Sequence, residues 1–443
     1  MNIKTILLML PVILLIAAAT YFSLLPQLLL LLVGFIVLFL LIRNDKVLLI
    51  GTVYVFVLDS GNGLFPIPLR ELLFGLLVLK TIYYILAKKV HIKYFTPFLI
   101  ISFILPIYGV AISQFRGQNL SYAIDDAKGY IFLITGLCIY ALISLKTVLK
   151  KSLLNHFLIA CLTVSIGTIL ILALELTNIV WIYDSSVWLI NHNLGFAGLE
   201  INGQYRVFIR SQLYVMLGLI LISTKIMSRS HNKMDYTILL IFSVCILISN
   251  TRGLWLGSIL GVSIMLLFGK STVIKVISAC VIILSITLTP LFFSDFTGDV
   301  LERVSSSFDF TQNESNSIRS EQALQLVNEF ENHIFFGKGF GSTLDTGYYR
   351  SEVPYSFELS YLELLYKLGL FGFIPFVIGL LLYFRIIIKS ANKDMKLGVF
   401  ASFFSFILLS TTNPYIVSSL GMFFLAILFS LTTNSDNKQP GLS

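Results

Sequence analysis

The sequence predicts an all-α polytopic membrane protein of about fourteen spanning helices (12–14), built as one integral membrane domain over residues 1–443. Composition is the first reason: 57% of the residues are hydrophobic and 12% are charged, with a mean hydropathy of +0.90. A soluble domain is roughly a quarter charged. A water-facing globule cannot hide that deficit, because polar groups must still cover its surface. Soluble, disordered and collagen-like classes are excluded. The second reason is the recurrence of apolar runs near the roughly 20 residues that a bilayer-crossing helix needs. The third is the charge between those runs, which alternates as membrane insertion selects.

In chain order, spans are expected near 5–22, 26–42, 46–58, 68–87, 96–114, 128–145, 152–174, 207–226, 236–250, 253–269, 272–293, 361–384, 397–411 and 415–431. The runs 46–58 and 236–250 are short, which leaves them open to tilting, re-entry or merger with a neighbour. Residues 5–22 follow a lysine and contain Ala17-Ala18-Ala19, a pattern shared with signal peptides. Because further apolar runs follow at once, a retained first helix is the preferred reading. No internal repeat or low-complexity segment is visible. Cys138, Cys161, Cys245 and Cys280 lie in apolar runs without disulfide or zinc spacing, and read as small core side chains.

With the N-terminus inside, 19 of the 31 lysines and arginines fall on the cytoplasmic side, 16 of them lysine, against four acids. The net charge of +8 then divides into +15 inside and −7 for everything else, so it reports insertion and not nucleic-acid binding. Both termini are expected in the cytoplasm. Two long outer loops result, at 175–206 and 294–357, and the second is too long for a mere connector. Within it Ile318, Leu324, Leu326, Val327, Phe330 and Ile334 recur at helical spacing, predicting an amphipathic helix over 316–336 on the outer membrane surface. The stretch Gly337-Lys338-Gly339-Phe340-Gly341-Ser342 then permits a tight turn, but it lacks the spacing of a nucleotide phosphate loop.

Of the twelve remaining basic residues, eight are arginine. Arginine grips phosphates and carboxylates with a planar fork and stays charged when partly dehydrated. One reading is an anionic ligand at the outer leaflet; the other is solvated or snorkelling residues that balance nearby acids. The ligand reading is preferred for four residues. Arg206 and Arg210 are expected one helical turn apart at the mouth of the 207–226 span. Arg252 lies between two helix ends, and Arg319 opens the amphipathic helix. Solvation is preferred for Arg303 and Arg350.

Glu358 and Glu363 straddle the start of the 361–384 span. A carboxylate in apolar surroundings can act as a general base; equally, an acid at a helix N-terminus suits the dipole, with Ser356 as a cap. Asp125 and Asp126 read as a solvated loop, and His192 and His333 as histidines with no visible partner. Trp181, Tyr183 and Trp188 fit an interfacial belt. No histidine pair has metal-ligand spacing and no Asp-x-Asp motif occurs, so neither a metal nor a cofactor is expected.

The order of these elements resembles the O-antigen polymerase and O-antigen ligase superfamily of bacterial envelope glycosyltransferases. The resemblance rests on Thr251-Arg252-Gly253-Leu254-Trp255-Leu256-Gly257, on Arg319 before an amphipathic helix, and on the glycine-rich stretch 337–342. It extends through Glu358, Tyr361-Leu362-Glu363-Leu364-Leu365 and Gly369-Leu370-Phe371-Gly372, covering about residues 200–385. Ligases of the superfamily usually carry a histidine where this chain has Glu358, so the polymerase branch is the better match and the ligase the alternative. The resemblance implies a GT-C-like fold. It also implies a reaction at the periplasmic face of the bacterial inner membrane between undecaprenyl-diphosphate-linked oligosaccharides, with a flippase and a chain-length regulator as possible partners. On that reading Arg206, Arg210, Arg252 and Arg319 clamp the diphosphate, Glu358 is the base and Tyr361 orients sugar or phosphate. A lipid-linked sugar flippase is the rival of another class; the unlike halves and the outward clustering of ionisable residues speak against it.

Overall fold

The computed structural model describes residues 40–41, 43–59, 64, 68–87, 94–145, 148–177, 182–199, 205–227, 232–269, 314–344 and 353–432. The expected spans at 5–22 and 272–293, most of 26–42, and Arg303, Arg350 and Trp181 lie outside them. The chain divides into two units after residue 48, and the helices and sites from residue 49 onward belong to the second.

The protein is mostly helical. Helix α1 spans Asp45–Leu58, α2 Leu69–Leu86, α3 Phe95–Phe115, α4 Leu120–Ser144 and α5 Lys150–Leu176. A short α6, Ile182–Asn191, leads to strands β1 (Gly195–Leu199) and β2 (Tyr205–Ile209). Then come α7 (Gln212–Met227), α8 (Lys233–Ile248), α9 (Arg252–Phe268), α10 (Glu314–Asn332), α11 (Ser360–Ser390), α12 (Lys393–Leu409) and α13 (Ser419–Thr432). Four helical stretches are long and apolar enough to cross a membrane: Phe95–Phe115, Leu120–Ser144, Lys150–Leu174 and Ser360–Ser390. Several others are apolar but shorter, among them α7, α9 and α13. This is a helical membrane protein.

Two expectations are corrected. The span at 207–226 does not begin as a helix, because Tyr205–Ile209 pairs antiparallel with Gly195–Leu199, with Phe196 opposite Phe208 and Gly198 opposite Arg206. The run Tyr-Arg-Val-Phe-Ile is aromatic and β-branched, which suits a pleated strand. Helix α7 therefore starts only at Gln212. Asp125 and Asp126 are not in a loop either: α4 starts at Leu120, where the Asn119 side chain accepts from the Ser121 N–H and caps it.

At the centre lies α13, buried on every side from Leu420 to Thr432, as a helix apolar all round must be. Phe423 stacks on Phe56 at 4.1 Å, and the Tyr214 hydroxyl donates to the Leu420 carbonyl. Helices α9, α7 and α12 meet along Gly253, Gly257 and Gly261. A Cβ at Gly257 would stand 2.8 Å from Met216 Sδ and 3.2 Å from the Ser405 carbonyl oxygen. Small residues at four-residue intervals let apolar helices approach closely, which supplies dispersion contact where lipid removes the hydrophobic drive. Cys138, Cys161 and Cys245 are buried free thiols, as the composition suggested.

Helix α11 is broken. Gly369 has φ 59° and ψ −171°, so the Leu370 and Phe371 N–H groups leave the helix and donate to the Ile334 and Phe335 carbonyls. In the other direction, Lys338 and Gly339 N–H groups donate to the Tyr366 and Lys367 carbonyls. The glycine-rich turn after α10 thus repairs the hydrogen bonds that the break opens, as backbone away from water requires. A Cβ at Gly339 would lie 2.3 Å from the Ser113 nitrogen and one at Gly341 2.4 Å from the Ala123 nitrogen. Only glycine fits both this approach and the positive φ at each position.

Candidate active site

Five turns meet at one end of the helices. The first is formed by the β1–β2 hairpin, in which Arg206 is the second residue of β2. Its Nε donates to the Ser249 carbonyl at 3.1 Å and Nη2 to Thr251 Oγ1 at 3.3 Å. The guanidinium lies 4.7 Å from the Phe196 ring centroid and 5.6 Å from that of Phe208. The hairpin register explains these contacts, since the two phenylalanines are cross-strand partners with ring centroids 5.7 Å apart, and the guanidinium lies against both. Arg206 therefore braces the second turn, 249–251, in which Asn250 takes a left-handed φ of 48° to end α8. Arg252 is the first residue of α9, immediately after that turn.

The third turn, between α12 and α13, touches the second. A Cβ on Gly253 would meet Asn413 Nδ2 at 2.5 Å. The Asn413 carbonyl accepts from Ser360 Oγ at 2.8 Å, which joins the fourth turn, at the start of α11. There Glu358 Oε2 is 2.6 Å from Arg319 Nε, and its N–H donates to Gln322 Oε1 at 2.9 Å. Both residues of the pair are partly exposed, Arg319 at 24% and Glu358 at 17%. A continuous path of contacts thus runs from Arg206 past Arg252 to Glu358 and Arg319. Tyr361 lies on the same helix start, and its hydroxyl donates to the Ile407 carbonyl, so it also locks α11 to α12.

Arg210 follows the hairpin in the turn before α7, and its N–H donates to the Leu194 carbonyl. It and Arg206 are thus separated by a strand end, not by the one helical turn that the sequence predicts. No ion-pair partner for Arg210 occurs among the described residues. Burial lowers its pKa from the ordinary arginine value; nearby Tyr415 opposes that shift and Arg70 adds to it. Tyr415, in the α12–α13 turn, has its phenol pushed up to about 12 by burial, with Arg210 and Arg206 pulling the other way. The hydroxyl therefore stays protonated beside two guanidiniums. Arg70, buried at the start of α2 near the Phe56 and Phe132 rings, completes a fifth turn. Sequence reasoning misses it, because an arginine at a span end is its sole signal there.

A second ionic cluster lies beneath. Lys367 Nζ contacts Glu363 Oε1 at 2.5 Å, Asp126 Oδ2 at 2.6 Å and the Tyr355 carbonyl at 2.6 Å. Asp126 also accepts from the Gly341 N–H, and Glu363 from the Phe357 N–H. Glu363 and Lys367 are each 1% exposed. The cluster ties α4 and α11 to the connection between α10 and α11, at Gly341 and again at Tyr355 and Phe357. The Glu363–Lys367 spacing of four residues is its visible signal in the sequence. His192 also gains a partner, its Nδ1 lying 2.8 Å from the Trp188 carbonyl oxygen. No group of three or more histidine, cysteine or acidic residues that could hold a metal occurs among the described residues.

Residues 237–377 match a family model described as O-antigen ligase. The match supports the resemblance of this segment to the O-antigen ligase and polymerase superfamily. No curated protein matches the chain. The family segment runs from α8 through the break in α11 and contains Arg252, Arg319, Glu358, Tyr361, Glu363 and Lys367. Arg70, Asp126, Arg206, Arg210 and Tyr415 come to it from elsewhere in the chain.

Proposed function

We propose that this protein is a surface-polysaccharide polymerase of the O-antigen type. It joins undecaprenyl-diphosphate-linked repeat units at the outer face of the inner membrane. The observation that carries the reading is the contact path that brings Arg206, Arg252, Arg319 and Glu358 to one end of the bundle, with Arg210, Tyr415 and Arg70 beside it. In the reaction the acceptor sugar's hydroxyl oxygen attacks the anomeric carbon of the donor chain. The bond from that carbon to the lipid diphosphate breaks, and the electron pair leaves with the diphosphate. Preorganised cations stabilise charge that develops there, and in a dehydrated site they act strongly. Arg210 is suited to this because it is partly dehydrated and has no carboxylate of its own among the described residues.

Glu358 takes the acceptor's proton. In the resting state its carboxylate is held by Arg319. An arriving diphosphate gives Arg319 a second anion to grip, and the pair is exposed enough for that exchange. Displacement from the face opposite the leaving group inverts the anomeric centre. Arginines supply the charge that a divalent metal supplies in many glycosyltransferases, so the reaction runs without one. The description of the family model favours one second reading, a ligase that moves finished glycan to a lipid or protein acceptor. Glu358, where ligases usually have histidine, favours polymerisation.

Deletion in the native host, followed by sizing of the surface glycan, tests the reading. A single repeat unit on the lipid anchor is the expected result. Undelivered long polymer would make the protein a ligase, and no glycan beyond the membrane would make it a flippase.

A further inference from the structure

The turn that closes α10 carries Phe335 and Phe336, 59% and 49% exposed, packed on Phe371, itself 54% exposed. Ring centroids are 5.8 Å apart for Phe335–Phe371 and 5.1 Å for Phe336–Phe371. Facing water, three adjoining exposed phenylalanines would form an apolar patch of the kind that marks an interaction surface. Phe371, however, begins a stripe along α11 that continues through Ile374, Ile378 and Leu381, which are 51%, 46% and 61% exposed. That spacing keeps one helix face turned outward. The residues from 370 to 390 after the break would measure about 31 Å at 1.5 Å per residue, close to the roughly 30 Å of a bilayer's hydrocarbon. A helix of that length crossing the hydrocarbon would put Phe371 at its upper edge, on the lipid side.

A second outward stripe approaches from α3, with Ile104 and Ile107 exposed by 48% and 67%. The next residue, Tyr108, donates its hydroxyl to the Phe336 and Leu368 carbonyls at 3.1 and 3.2 Å. The 335–336 turn thus sits where the lipid-facing stripes of two helices converge. We infer that Phe335, Phe336 and Phe371 form a ledge immersed in membrane acyl chains, which moors the loop bearing Arg319 and the glycine-rich turn to the bilayer. Continuity with the α11 and α3 stripes argues for bulk lipid as the occupant. The contact holds whether or not the glycan reaction is the one proposed above.

Phe335→Trp and Phe336→Trp test this in the full chain, reconstituted into phosphatidylcholine vesicles with or without bromine on the acyl chains. The signal is the emission gained over wild type, which subtracts the three native tryptophans. Loss of that emission in brominated vesicles, with protection from aqueous acrylamide, is expected. Quenching by acrylamide and not by bromine would overturn the proposal. So would acrylamide protection that arises only when a long-chain polyprenyl phosphate is added to plain vesicles, which would assign the ledge to an isoprenoid chain. Should a loop variant fail to insert, Phe371→Trp reads the same ledge from α11, with the same two outcomes.

Discussion

Two ionic groupings in this protein have contacts nearly equal in length and settings that are opposite. Lys367 meets Glu363 at 2.5 Å and Asp126 at 2.6 Å with almost no exposure, while Arg319 meets Glu358 at 2.6 Å with about a fifth of each side chain still exposed. The buried cluster is almost wholly shielded from solvent, and every member is also tied to backbone. The partly exposed pair keeps water within reach, so it can exchange partners at lower cost than the buried cluster. Distance alone would give both the same role. Burial separates a fastener from a switchable site.

The largest expected effect breaks the fastener. Lys367→Met leaves two carboxylates facing each other out of water, and removal of one partner from a buried ionic group costs about 3–5 kcal/mol. The fraction of protein surviving heat in detergent, read by gel filtration, should fall sharply. Asp126→Asn with Glu363→Gln and Lys367→Met together should recover most of that loss, because neutral groups need no counter-charge. If the triple variant is as fragile as the single one, the cluster's charge is not what matters.

Arg210→Ala comes next and should act on activity alone. Loss of one preorganised donor to a developing negative charge lowers turnover by about 100- to 1,000-fold. Chain extension should cease at normal protein abundance, and wild-type-length polymer would remove Arg210 from the site. Glu358→Gln keeps the shape but cannot accept a proton, a role contributing about 100- to 10,000-fold. Its thermal survival should match wild type, unlike that of Lys367→Met. Turnover near normal would show that the exposed pair is merely structural and that the contrast with the buried cluster is false.

Among the described residues, three of the four helices long and apolar enough to span a membrane are legible in the sequence, because apolar runs of the right length leave few alternatives: α3, α5 and α11 fall within several residues of their expected bounds. The β1–β2 hairpin is not legible. Val207, Phe208 and Ile209 continue into the apolar run of α7 without a break, and hydropathy cannot distinguish a strand from the first turn of a helix. Arg206, Arg252, Arg319 and Glu358 stand out by residue type and position. Their joining through Asn413 and Ser360 does not, because backbone and amide contacts between distant turns leave no periodic trace. Asp126 misleads for a related reason: an acid pair near a span end looks solvated until its partner, 241 positions away at Lys367, is placed beside it.

Arg206 falls between the two classes and gives the smallest effect. As a clamp it needs only charge, which lysine would keep. As a brace it needs the fork that reaches Ser249 and Thr251 together and the flat face that lies against Phe196 and Phe208. Lysine offers a flexible point charge and cannot reproduce that arrangement. Arg206→Lys should therefore lose hydrogen bonds worth about 1 kcal/mol each, and chain extension should fall by roughly tenfold or less as the turn before Arg252 loosens, a factor of ten being about 1.4 kcal/mol. Extension equal to wild type would make charge its whole contribution. Extension as poor as in Arg210→Ala would place the guanidinium on the diphosphate itself and move Arg206 from the fastening class to the reacting one.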